Sequence, residues 1–135
     1  MLEGDVFHPA SNQAKMAKGI ALTDADRAGW LEDLGQQLAN SKTIVVLSCS
    51  ALKKSYRDLL RSHKPNLRFV YLDISHTTAV ARVASRSTAG SHFFPATLVD
   101  NQFATLEVPT GEVGVLTVDA TAPMPELVAQ VKAWL

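Results

Sequence analysis

Thr43-Ile44-Val45-Val46-Leu47-Ser48-Cys49-Ser50-Ala51-Leu52-Lys53-Lys54-Ser55-Tyr56-Arg57-Asp58-Leu59-Leu60-Arg61 changes its periodicity halfway along. Residues 43–47 are an unbroken run rich in β-branched side chains, without the alternation of a half-solvated strand, so they read as a strand covered on both faces. From 51 to 61, Leu52, Tyr56, Leu59 and Leu60 recur at helical spacing with Lys or Arg between them. A covered strand that hands over directly to an amphipathic helix is the unit of an α/β fold with a parallel sheet. Residues 68–72 and 113–118 repeat the strand signature, giving three expected strands. Thr23, with Asp26 three residues on, forms a capping-box variant, and Trp30, Leu31, Leu34 and Leu38 then mark one face of a helix to about residue 40. Further helices are expected over 77–86, 95–106 and 125–135, the second opened by Pro95. Pro65-Asn66 ends the basic helix.

At 135 residues the chain suffices for one domain, 1–135, with a real core. Thirteen Lys+Arg balance thirteen Asp+Glu, which argues against a nucleic-acid tail or a polybasic membrane patch and favours small-molecule partners. No apolar run approaches membrane-spanning length, and Met1-Leu2-Glu3-Gly4-Asp5 has neither a basic nor a greasy leader region, so the expectation is a soluble, cytoplasmic protein. A single cysteine, Cys49, forms no internal disulfide and agrees with a reducing compartment. Its strand-end position among apolar neighbours suits an inert thiol better than a nucleophile.

Three segments concentrate chemistry. Glu3-Gly4-Asp5-Val6-Phe7-His8-Pro9 sets two carboxylates and an imidazole beside a glycine. Such a group orients a hydroxyl, serves as a general base or helps hold a hydrated Mg²⁺; alternatively it only satisfies backbone groups at a turn. Six of the thirteen basic residues fall between 53 and 68, so zero net charge conceals a local positive field. Lys53 and Arg57, four apart on one helix face, suit a shared anion, or simply a solvated face. The segment 86–95, small and polar around Gly90, then aromatic, reads as a lid or as an ordinary surface loop. The four histidines and Cys49 lack structural-zinc spacing, so no metal ligands are assigned. No Gly-x-x-x-x-Gly-Lys-Ser/Thr loop occurs in these 135 residues.

Glu3-Gly4-Asp5, His8-Pro9, Asn12, Lys15-Met16, Gly19-Ile20, Asp26-Arg27, Trp30-Leu31 and Cys49-Ser50-Ala51-Leu52-Lys53 through Tyr56-Arg57-Asp58, followed by Ser91-His92-Phe93 and Gln102-Phe103, closely resemble the gluconokinase family. The resemblance runs along essentially the whole chain in order. It implies a three-layer P-loop kinase fold of the nucleoside-monophosphate-kinase type, a parallel sheet with flanking helices. It also implies ATP-dependent phosphorylation of gluconate to 6-phosphogluconate, with Mg²⁺ carried on the nucleotide, and a homodimer. Asp5 is then expected to orient or deprotonate the attacking hydroxyl, with Glu3 and His8 at the substrate. Lys53 and Arg57 would hold the gluconate carboxylate or the transferred phosphate, Lys53 also counting as catalytic. Arg82, Arg86 and His92 would lie on the lid, the two arginines toward ATP and Arg86 in catalysis.

The family begins with a strand, a Gly-rich loop ending in Gly-Lys-Ser and a helix, and these residues contain none of the three. Met1 matches a position at the end of the family's second strand, so the fold is expected to be incomplete at its amino edge, and an upstream in-frame segment is expected. Two other readings stay open: a non-catalytic remnant that binds a sugar acid or another protein, and a kinase for a different acceptor such as shikimate. The isolated chain is expected to be inactive as a kinase and poorly stable.

Overall fold

The computed structural model describes residues 1–88 and 95–135. Its longest element, helix α2 at Asp24–Asn40, starts as its sequence dictates. Thr23 Oγ1 accepts from the Asp26 amide at 3.1 Å, and Asp26 Oδ2 accepts from the Thr23 amide at 2.9 Å, a reciprocal capping box. Lys15, on helix α1 (Ala10–Ala17), adds an ion pair to Asp26 at 2.8 Å. With the Lys15 hydrogen bonds acting first and the Thr23 amide second, the Asp26 carboxyl is held at about 2.

Trp30, Leu31, Leu34 and Leu38 of α2 are buried against Leu52 and against Tyr56 and Leu60 of helix α3 (Lys54–His63). Each leucine removed from water there contributes about 1.5–3 kcal/mol. The two helices approach closely because Gly35 has no side chain: a Cβ there would lie 2.3 Å from the His63 ring. His63 Nε2 in turn meets Glu32 at 3.0 Å.

Among the described residues four strands form rather than the expected three. β1 (Leu2–Glu3) pairs in parallel with β2 (Leu47–Ser48), and β3 (Phe69–Asp73) with β4 (Val115–Asp119), register Phe69 opposite Val115. No strand joins β2 to β3 among the described residues, so the parallel sheet of the sequence reading is divided into two pairs. Double-sided coverage also fails: Ile44 is 96% exposed and Leu72 55%. The reason is that β-branched residues become strand only where a neighbour offers backbone partners. Within 43–46 that partner is a single bond, from the Leu2 amide to the Val46 carbonyl at 2.7 Å.

Helices α4 (His76–Thr88), α5 (Ala96–Thr105) and α6 (Met124–Trp134) complete the order, α4 against α5 and α6 against β4. Arg86 therefore belongs to the last turn of α4 rather than to a loop. Residues 89–94 of the expected lid, including His92, fall outside the described residues. No described helix is long and apolar enough to cross a membrane.

Candidate functional site

A cleft of about 720 Å³ opens beyond the carboxyl ends of the strands, where ligands bind in open α/β folds. Glu3 at the end of β1, Ser48–Ser50 at β2, Leu72 and Ile74 at β3 and Ala120 after β4 line it, with α4 and α5 as the facing wall. Chain geometry forces the acidic side. Gly4 begins a single 3₁₀ turn, Gly4–Phe7, that crosses β2 so closely that a Cβ on it would sit 2.4 Å from the Ser48 carbonyl oxygen. Only glycine allows this approach, and the turn then directs Glu3 and Asp5 into the cleft. Ser48 Oγ donates to Glu3 Oε1 at 2.7 Å.

His8 follows the turn, buried and stacked on Trp30 with ring centroids 4.1 Å apart. Trp30 Nε1 donates to the Gly4 carbonyl at 2.8 Å, so one indole supports both the turn and the imidazole. Asn12 Nδ2 donates to the Asp26 carbonyl at 2.8 Å and to His8 Nδ1 at 3.2 Å. That leaves the proton of neutral His8 on Nε2, which faces Asp5 Oδ1 at 3.9 Å. Burial lowers the His8 pKa, Asp5 opposes the shift, and the Arg27 guanidinium adds to it. His8 thus enters neutral chemistry as a hydrogen-bond donor beside a carboxylate that is half exposed to the cleft. The separation exceeds a direct hydrogen bond and suits a bridging hydroxyl oxygen.

The two basic residues expected to share an anion are not brought together there. Lys53 caps α3 and pairs with Asp24 at 2.9 Å, which raises its pKa, and it is not among the residues that line the cleft. Arg57 is 2% exposed and has every donor engaged. Nε and one terminal nitrogen meet Glu112 at 3.0 and 2.6 Å, that same nitrogen reaches the Glu107 carbonyl at 2.9 Å, and the other reaches the Ala51 and Leu52 carbonyls at 2.7 and 3.1 Å. Five N–H groups meet five acceptors, a clamp on the segment 107–112 rather than an anion hand. The Glu112 carboxyl is lowered in consequence, Arg57 contributing most.

Arg82 and Arg86 do line the cleft, from α4, and Arg82 donates to the Ala120 carbonyl at 3.1 Å. Cys49 lines it as well, but burial pushes its thiol up to about 12, so it is no nucleophile at neutral pH. Among the described residues no three His, Cys, Asp or Glu side chains cluster as a metal site. Arg27 also lines the cleft, and the sequence reading, which matched it to the family, gives it no role in the site. The signal was present: Arg27 stands three and four residues before Trp30 and Leu31, a charge inside the apolar stripe of α2.

No protein-family model matches this sequence. It is 46% identical over 120 residues to a probable gluconokinase of Schizosaccharomyces pombe, covering 82% of this chain and 61% of that protein. Against the thermoresistant gluconokinase of Escherichia coli it is 42% identical over 134 residues, 95% of this chain and 74% of the relative. A solved gluconokinase from Sinorhizobium meliloti superposes with a TM-score of 0.86 at 46% identity, over 98% of this chain and 74% of that one. The paired parallel strands and their helices are thus part of a P-loop kinase fold, and the chain, shorter than each of these relatives, belongs to the gluconokinase family.

Proposed function

We propose that this chain carries the acceptor-binding part of an enzyme that phosphorylates D-gluconate to 6-phospho-D-gluconate with ATP as donor. The observation that carries the reading is the Asp5–His8 pair on the cleft. A substrate hydroxyl bridging the pair donates to Asp5 and accepts from His8 Nε2. Its proton passes to Asp5 as its oxygen bonds to the γ-phosphorus of ATP, and the bond from that phosphorus to the β-phosphate oxygen breaks to release ADP. Arg82 and Arg86, across the cleft from the carboxylates, supply positive charge where the phosphoryl oxygens build negative charge. Lys53 and Arg57 support the site from behind, through Asp24 and through the segment 107–112.

In this reading Mg²⁺ comes bound to the nucleotide, whose phosphates need a Gly-Lys-Ser/Thr loop that these 135 residues do not contain. The purified 135-residue chain is therefore expected to show no ATP turnover in a coupled assay with gluconate. Joined to the strand, phosphate loop and helix that open the family's fold, it is expected to phosphorylate gluconate. Asp5→Asn in that joined chain then lowers kcat by about 10²–10⁴-fold, the usual share of a general base. An unchanged kcat, or turnover of acceptors other than sugar acids only, would refute the reading.

A further inference from the structure

Arg27 is only 6% exposed, yet of its five N–H donors only one terminal nitrogen has a partner among the described residues, the Tyr56 hydroxyl at 3.2 Å. The others are not sealed in, since no buried side-chain nitrogen or oxygen lacks a partner among the described residues. They open where Arg27 itself lines the cleft. The side chain is also held in place. Tyr56 donates onward to Asp24, and Lys53 fixes Asp24 with bonds of 2.9 and 3.0 Å. A buried guanidinium with open donors and a braced base is poised for an anion from solution, whereas Arg57, saturated by five acceptors, is not.

The neighbours select which anion. Glu3 and Asp5 share the rim with Arg27, and His8 senses both the Asp5 carboxylate and the Arg27 guanidinium. Carboxylates there repel polyphosphate and accept hydroxyl protons, so a matching ligand presents hydroxyls and a single compact anion together. We infer that Arg27 binds the carboxylate of the sugar-acid acceptor while Asp5 and His8 take a hydroxyl of the same molecule. Tyr56 is a positioning residue for Arg27. The inference rests on the gluconate reading but assigns its carboxylate to a residue that reading does not require.

Calorimetric titration of the 135-residue chain with gluconate and with D-glucitol, which keeps the hydroxyls and lacks the carboxylate, tests this. Arg27→Met is expected to weaken gluconate about 30-fold, the size of a lost charge-assisted pair, and to leave glucitol unchanged. Arg27→Lys recovers part of the loss, and Tyr56→Phe costs only a few-fold, so these two carry the test if Arg27→Met fails to keep its near-ultraviolet dichroism. Gluconate binding that survives all three substitutions overturns the assignment and leaves the kinase reading standing. If a panel of six-carbon aldonates shows binding of another member that depends on Arg27, the assignment stands and gluconate falls. A chain that binds no aldonate overturns both.

Discussion

Residues 1–63 and 69–135 are built to different standards. The five largest fully buried side chains, Trp30, Leu31, Leu34, Leu60 and Asn12, all lie in the first region. In the second, α6 buries no residue, β3 exposes Val70 and Leu72, and the buried apolar side chains among the described residues reduce to Leu98, Val99, Pro109 and Val118. The side of the cleft that carries Glu3, Asp5, His8 and Arg27 therefore rests on a closed helical core. The side that carries Arg82 and Arg86 rests on a two-stranded pair that exposes Val70 and Leu72 and buries only Val118. In the family resemblance the phosphate-loop strand lies mid-sheet, and β2 and β3 are the strands left without a partner between them. One wall of the cleft thus rests on a closed core and the other on an open strand pair.

The largest effect is expected where the two regions are tied. Arg57 on α3 holds Glu112 and the Glu107 carbonyl, so Arg57→Met strips a buried pair and should cost about 3–5 kcal/mol in urea unfolding. A loss below about 1 kcal/mol would mean that the regions do not depend on each other. Within the regions, Leu34→Ala should cost about 3 kcal/mol, while Leu72→Ala stays within about 0.5 kcal/mol. Equal costs would abolish the contrast. Gly4→Ala forces the turn off β2 and is expected to cost about 1–3 kcal/mol, with loss of gluconate binding as its signature. Thr23→Ala removes the cap of α2 for about 1 kcal/mol, read as a fall in Tm.

The smallest effect is a pH limb confined to the first region. The folded pKa of His8 lies below its ordinary 6.5, so above that pH neither state holds the proton and His8 changes nothing. As pH falls through 6.5 the unfolded chain takes a proton that the folded chain refuses, and stability declines. His8→Gln should flatten urea-derived stability between pH 7 and 5; an undiminished slope would remove His8 as its source. Asp26 adds a second, more acidic limb. Its carboxyl is held at about 2 against an ordinary 3.8, so its stabilisation is complete above 3.8 and fades as pH falls toward 2.

Local signals in the sequence carried furthest where they were self-contained. The capping box at Thr23 and Asp26 and the stripe from Trp30 to Leu38 need only neighbours in sequence, and both appear as read. Residues 43–46 were misread because strand formation needs a partner that no local pattern reveals. Asp5 and His8 were visible as a cluster, but the stack on Trp30 that fixes His8 joins positions 22 residues apart through the fold. Arg57 departs from its expectation for the same reason. Exposed spacing on a helix suggests an anion hand, yet burial and acceptor count decide it, and both depend on Glu107 and Glu112, more than 45 residues beyond Arg57.

Trp30 also gives the molecule a built-in optical probe. The chain has two tryptophans, and the other, Trp134, lies at the far carboxyl end beneath Arg68. Trp30 alone is stacked on an imidazole that borders the cleft. A protonated imidazole quenches indole emission and a neutral one does so far less, so the fluorescence of Trp30 follows the charge state of His8.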